Sequence, residues 1–269
     1  MIVLNDGATI PPIGLGTYAL SAAQVLSGLK AGYRLLDSAL KYGNESEVGA
    51  AVRRSGLDRA EIQVTTKLPG RYHGYDKTIE GFEVSLRNLG LDYVDLYLIH
   101  WPLPRLDLYV DSWRAMIDLR DQGRVRSIGV SNFTPPQLTR LTAETGVTPA
   151  VNQIELHPYF PQAGQRADDE ARGIVTQSWS PLAEGRDLGR NEVVAAAARA
   201  HGVSAAQVVL RWNTQLGAVP IPRSGDPGRQ RQNLDIFGFT LTGDEMKALS
   251  TLGRSRRLWG ADPDVYESY

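Results

Sequence analysis

Arg34-Leu-Leu-Asp37-Ser38-Ala-Leu-Lys-Tyr42-Gly43-Asn44-Glu45-Ser-Glu-Val-Gly49 opens as a short apolar strand and closes as the start of a helix. Between the two lie a carboxylate, Asp37, and a phenol, Tyr42. A strand-to-helix loop often carries Asp, Asn and Gly because they turn and cap well. The next two strand ends argue for more than a turn. Lys67 ends the next apolar run and His100 ends the one after, in Tyr97-Leu-Ile-His100-Trp101-Pro102. An acid, a phenol, a lysine and an imidazole at successive strand ends are hard to explain as packing.

Outward from this stretch the chain alternates. Residues 2–10 read as a small hairpin around Asn5-Asp6-Gly7, ended by Pro11-Pro12. Strands are expected at 13–17, 34–37, 62–67, 93–99, 125–130, 150–155, 174–179 and 218–221. Helices are expected at 21–31, 44–55, 76–89, 109–122, 134–145, 163–172, 190–201, 204–216, 227–234 and 242–252, before an irregular tail. Strand-helix alternation argues for a parallel sheet, and continuous apolar runs such as 94–99 argue that both faces are buried. Eight such units with no linker or composition shift point to a closed (β/α)8 TIM barrel in one domain, 1–269, with an open doubly wound sheet as the alternative.

Composition excludes several classes. The chain has 269 residues, is 42% hydrophobic and 22% charged, and carries a net charge of -1. That balance gives no basic face for nucleic acid. No apolar run reaches the roughly 18 residues of a membrane span, and the first residues lack the charged and apolar regions of a signal peptide. With no Cys, thiol chemistry and disulfides are excluded, and a cytoplasmic, monomeric protein is expected. His73, His157 and His201 show no metal-ligand spacing, so no metal site is expected, and His157 before Pro158 reads as structural. Asn44 and Asn132 begin N-x-[ST] sequons, read as accidental because a glycan there would obstruct the site.

One motif misleads. Gly14-Leu-Gly16-Thr-Tyr-Ala19 matches G-x-G-x-x-A, with Asp37 about 20 residues on, as a dinucleotide fingerprint requires. The preceding segment, Thr-Ile-Pro-Pro-Ile, cannot be the central strand that motif needs, because two prolines interrupt it. There is no P-loop.

At this point the residues carry a family. Asp37-Ser-Ala-Leu-Lys-Tyr42-Gly-Asn-Glu, Leu98-Ile-His100-Trp-Pro, Gly129-Val-Ser131-Asn132-Phe133 and Val151-Asn152-Gln153-Ile-Glu155-Leu-His157-Pro resemble successive blocks of the aldo-keto reductases. Ile221-Pro222-Arg223-Ser224, with Arg229 and Asn233, is similar to their cofactor-phosphate segment. The order and spacing of the blocks extend the resemblance over essentially the whole chain, nearest to prokaryotic, 2,5-diketogluconate reductase-like members acting on small carbonyls.

The resemblance implies hydride transfer from NADPH to the carbonyl of an aldehyde or ketone, giving an alcohol. Tyr42 is then the proton donor. Lys67 is the cation expected to lower the phenol pKa from about 10, Asp37 holds Lys67 in place, and His100 orients the carbonyl. Singly, these could be a cap, a pocket wall, a solvated strand end and a core imidazole. Jointly, at strand ends of one barrel face, they favour chemistry.

The family pattern also implies cofactor contacts. Ser131, Asn132 and Gln153 would hold the carboxamide, and Trp179 would stack on the nicotinamide where many members have Tyr. Ser180-Pro181-Leu182-Ala183 resembles the pyrophosphate loop, with Ala183 in place of a common Gly. Gly16, Thr17, Ile221, Pro222, Arg223, Ser224, Arg229, Gln232 and Asn233 complete the cofactor set. Arg223 and Arg229 are expected on the 2′-phosphate, with Asp226 turned away to cap the helix at Pro227.

Tyr18, Trp101 and Trp259 are candidate substrate walls, with Tyr72, His73 and Leu258 near them. The run Arg254-Ser-Arg256-Arg257 reads as solvated. The family also includes NADP-binding regulatory or sensor proteins with slow turnover, which stand as the alternative.

Overall fold

The computed structural model describes residues 1–185, 187–253 and 257–267. Arg254, Ser255 and Arg256 of the basic run lie outside the described residues; Arg257 packs its guanidinium over the Phe160 ring at 5.0 Å.

Eight strands form one parallel sheet in chain order: β3 Leu15–Gly16, β4 Leu35–Asp37, β5 Gln63–Leu68, β6 Val94–Ile99, β7 Val125–Ser131, β8 Val151–Glu155, β9 Val175–Trp179 and β10 Val219–Pro220. The sheet closes on itself. Gly14 N–H donates to Pro220 O and Gly16 N–H to Pro222 O, both at 3.0 Å, joining the first strand to the last. The fold is therefore the (β/α)8 barrel, and the open sheet is set aside. The misleading glycine motif has its use here. A Cβ on Gly14 would come within 2.7 Å of Ile221, so the pair admits the close approach that closes the seam.

Side chains alternate along the strands, as the pleat requires. Leu35, Leu96, Leu98, Val151 and Val219 share an inner cluster with Leu4 and Ile10. Leu36, Tyr97 and Ile99 face outward, in the cluster that includes helical residues such as Val48, Phe82 and Trp113. Leu4 and Ile10 come from the N-terminal hairpin, β1 Ile2–Val3 and β2 Thr9–Ile10, which contributes apolar side chains to the barrel interior.

Between the strands run α1 Ala22–Ala31, α2 Glu45–Arg54, α3 Tyr75–Leu89, α4 Tyr109–Asp121, α5 Pro135–Thr145, α6 Ala163–Ala171, α7 Glu192–His201, α8 Ala205–Gln215, α9 Pro227–Leu234 and α10 Gly243–Ser250. Capping boxes start α1 (Ser21, Gln24), α5 (Thr134, Gln137), α8 (Ser204, Gln207) and α10 (Thr242, Glu245), each satisfying otherwise orphaned backbone N–H groups.

The stretch from Arg34 to Gly49 is knitted into this frame. The Asn44 amide donates to Thr17 O (2.6 Å) and Leu20 O (3.0 Å). Glu45, fully buried, accepts from Thr66 Oγ1 (2.6 Å) and Asn88 Nδ2 (3.0 Å). Glu47 receives the N–H of Ala22 at the start of α1 (2.6 Å). The loop carrying Tyr42 is thus fixed from three sides.

Candidate active site

The strand ends converge where the barrel fold places its sites, at the C-terminal rim. Asp37 is the last residue of β4, and Tyr42 closes a one-turn 3-10 helix, Leu40–Tyr42, that follows it. Lys67 lies near the end of β5, completely buried, and His100 directly follows β6, its N–H bonded to Leu68 O.

The Lys67 ammonium has three protons, and each has a partner. Nζ donates to Asp37 Oδ2 (2.7 Å), Ser38 O (2.9 Å) and the Tyr42 hydroxyl oxygen (3.3 Å). Since an ammonium only donates, Tyr42 is the acceptor in that contact, and its own O–H is left to donate elsewhere. Tyr42 is half-buried at the wall of a cleft of about 1000 Å³. The His100 ring stands edge-on to it, centroids 5.9 Å apart at 76°, and Tyr18 packs on it at 5.2 Å.

Electrostatics corrects one expectation. Lys67 does pull the Tyr42 pKa down, but burial pushes it up further and Asp37 adds to the rise, so the net shift is upward from 10.0. Burial alone would lower the Lys67 pKa; the Asp37 carboxylate and Tyr42 outweigh it and hold the ammonium above its ordinary value. Burial, and then the Lys67 charge, push His100 well below 6.5, so its ring is neutral at neutral pH. The site therefore presents a protonated phenol and a neutral imidazole to the cleft, backed by a buried cation.

A second group of side chains forms a polar floor. Ser131 ends β7 and donates to Gln153 O (2.8 Å). Asn132 comes next, in the left-handed region (φ 64), which Asn tolerates better than most residues. Its amide donates to His100 O (3.1 Å) and Ser131 Oγ (3.0 Å), while Oδ1 accepts from Trp179 Nε1 (2.8 Å). Gln153 Nε2 donates to Asp37 Oδ1 (2.8 Å) and Gln177 Oε1 (2.9 Å), so Asp37 is held from both sides. Thr17 reinforces the same residue, its N–H and Oγ1 both donating to Asp37 O at 2.9 Å.

Ser180, Pro181 and Leu182 continue the cleft wall after Trp179. Ala183 does not reach the cleft: it is buried in the core, with φ 48, in the left-handed conformation that a Gly would take freely. Gly16, Ile221, Pro222, Arg223 and Arg229 line the wall nearest the seam. Arg223 reaches across it to Tyr18 O (3.3 Å). Asp226 accepts the Arg229 N–H (2.7 Å) as the N-cap of α9, as expected. Ser224, Gln232 and Asn233 do not line the cleft; Ser224 and Asn233 are buried and Gln232 is exposed.

Among the substrate-wall candidates, Tyr18, Trp101 and Trp259 line the cleft, and Trp259 stacks on Trp179 at 5.4 Å. Tyr72 and His73 do not line it; Tyr72 packs beside the main core and His73 is buried. Lys41, Glu184 and Gly185 also line the cleft, beyond the residues that the sequence motifs single out. Lys41 carries a signal, as the cation next to Tyr42; the other two belong to a loop whose path depends on the left-handed Ala183 and Glu184. His157 has the structural role expected of it, pairing with Glu155 in the barrel wall (3.0 Å), and Glu155 also accepts the N–H of Leu258 (2.7 Å), tying down the tail.

Comparison with known proteins adds four findings. A family model described as "Aldo/keto reductase family" matches residues 13–254. The chain is 54% identical over 270 residues to 2,5-diketo-D-gluconic acid reductase B of Corynebacterium sp. (strain SHS752001), covering 99% of this chain and 97% of that one. Among solved structures it is similar to an aldo/keto reductase from Brucella melitensis (TM-score 0.89, 48% identity, 93% and 98% of the two chains). It is also similar to a Bombyx mori aldo-keto reductase in complex with NADP (TM-score 0.89, 34% identity, 99% and 98%).

Proposed function

The chain belongs to the aldo/keto reductase family, and from that premise we propose that it reduces small aldehydes or ketones to alcohols, with Tyr42 as the proton donor. The cofactor of the reaction is NADPH, which supplies the hydride when bound. The donor set of the cleft fits it. Asn132 and Gln153 present amide groups at the polar floor for a carboxamide, Trp179 offers an indole face beside them, and Arg223 and Arg229 place permanent cations along the wall near the seam.

The observation that carries the proton-donor role is the use of the Lys67 protons. All three are spent, one of them on the Tyr42 oxygen, so the phenolic proton is available to a carbonyl oxygen in the cleft. As that oxygen gains negative charge it becomes a stronger base than a phenolate, and the proton moves from Tyr42 to it. Lys67 then stabilises the phenolate left behind, and Asp37 keeps Lys67 charged and in place. Neutral His100 donates from its ring to the same carbonyl oxygen and orients it. Tyr18, Trp101 and Trp259 supply aromatic walls, which suit small carbonyl compounds with apolar groups. Every residue invoked comes from one barrel, so a single domain acting as a monomer suffices.

The test is loss of NADPH absorbance with a generic aldehyde. Turnover by the native chain, and its collapse in Tyr42→Phe with NADPH binding kept, is the expected result. No turnover in the native chain across a panel of aldehydes and ketones would instead favour a binding role.

A further inference from the structure

Asp169 lies on α6, outside the barrel wall, and is completely buried, yet it forms no salt bridge among the described residues. Three neutral side chains satisfy it. Oδ1 accepts from Asn152 Nδ2 (3.1 Å) and Gln165 Nε2 (2.9 Å), and Oδ2 accepts from Thr176 Oγ1 (3.0 Å). A buried carboxylate without a cation is costly, and a merely space-filling position would be better served by an apolar residue. It orients Asn152 by presenting an acceptor oxygen to Nδ2, which fixes the end of the Asn152 amide that faces it.

That orientation is transmitted inward. Asn152, in β8, clamps the backbone of Phe133 at both groups, its Nδ2 donating to Phe133 O (3.0 Å) and its Oδ1 receiving Phe133 N–H (3.4 Å). Phe133 directly follows Asn132, whose backbone is in the left-handed region and whose amide joins the ends of β6, β7 and β9. The 3.4 Å contact is the weak one, so the second anchor on Asn152 decides how firmly Phe133, and hence Asn132, is held.

We propose that Asp169 is a positioning residue for the carboxamide end of the cleft, acting on Asn132 through Asn152 and the Phe133 backbone. This rests on the reading above in which Asn132 helps to hold the nicotinamide carboxamide.

Two probes separate this from general destabilisation: NADPH, and 2′-phospho-ADP-ribose, which lacks the nicotinamide. Asp169→Ala is expected to weaken NADPH about tenfold, the worth of one hydrogen bond, while 2′-phospho-ADP-ribose binds as before. Asp169→Leu fills the space without accepting a hydrogen bond and serves if the alanine variant does not fold. Asp169→Asn keeps an acceptor toward Asn152 and is expected to stay within about twofold of the native Kd, since no hydrogen bond on the path is lost. Native NADPH affinity in the Ala or Leu variant, equal weakening of both probes, or a tenfold loss in Asp169→Asn overturns the proposal. Asn132→Ala is measured alongside. If it leaves NADPH affinity native, the carboxamide reading fails; if it weakens NADPH alone while the Asp169 variants do not, only the role of Asp169 fails.

Discussion

Lys67 is a donor with nothing left to give, and the pH behaviour of the site is a consequence of that. Tyr42→Phe keeps the ring and removes the proton, and should slow reduction roughly 10²-fold or more, the usual loss for a general acid. Its NADPH Kd should change little, because the phenol faces the carbonyl. Near-native turnover in this variant would move the acid elsewhere. The upward shift of Tyr42 sets the profile. The phenol stays protonated through the neutral range, so kcat for reduction should be flat up to about pH 10 and fall above it. Alcohol oxidation needs the phenolate and should rise toward that pH. Because His100 is neutral well above its lowered pKa, no imidazole step should appear near pH 6.5. Rates measured in both directions across pH 6 to about 11 check all three statements.

At the scale of elements, α2 and α3 meet at a glycine. A Cβ on Gly49 would lie 1.7 Å from Leu89 O, a backbone atom that cannot step aside without moving the end of α3. Gly49→Ala should therefore cost about 3 kcal/mol, the upper end of overpacking, and lower Tm by roughly ten degrees, read by calorimetry. The element around Asp169 makes a different prediction. Burial lifts its pKa from 3.8 to about 6 against the pull of Asn152, Gln165 and Thr176, with Asp168 adding to the rise and Arg172 nearby. The folded chain thus binds this proton more tightly than the unfolded chain, and the group's contribution to stability falls as pH rises from about 4 to 6. Asp169→Asn removes that slope. Native stability relative to the variant should decline across this window, by about 3 kcal/mol in denaturant titrations, since each tenfold gain in proton affinity is worth about 1.4 kcal/mol.

Much of this is legible in the chain itself. Leu35–Asp37, Val94–Ile99 and the capping boxes announce themselves through local apolar runs and short-range hydrogen bonds. So do Asp37, Tyr42, Lys67 and His100, because strand ends in this fold share one rim. The rest depends on distant partners: the Gly14–Pro220 seam, the Leu258 N–H on Glu155, and the orientation of Asn152 by Asp169. The Tyr42 pKa departs from its expected direction for the same reason, since a neighbouring cation is visible in a motif and the depth of burial is not.

The barrel as a whole gives the cleft its last property. One wall comes from the end of β3 and the residues after it, Gly16 to Tyr18, and another from Ile221, Pro222, Arg223 and Arg229 after β10, so the cleft straddles the seam where the barrel closes. Arg223 already bridges it through Tyr18 O. A ligand gripping both sides stabilises the folded chain through mass action, and the more so the tighter it binds. Asp226 is committed to capping α9, which leaves Arg223 and Arg229 as the cations proposed to meet a 2′-phosphate. On that proposal, charged hydrogen bonds from the two guanidinium groups are expected to favour NADPH over NADH by roughly 10²-fold. At equal saturating concentrations that difference is about 2.7 kcal/mol, or roughly 5–10 °C in Tm. NADPH should therefore raise Tm well beyond NADH, the gap should narrow as salt screens the phosphate, and it should vanish in the Arg223→Ala, Arg229→Ala double variant. Equal shifts with both cofactors in the native chain, or a gap that survives the double substitution, would place discrimination of the phosphate outside this segment.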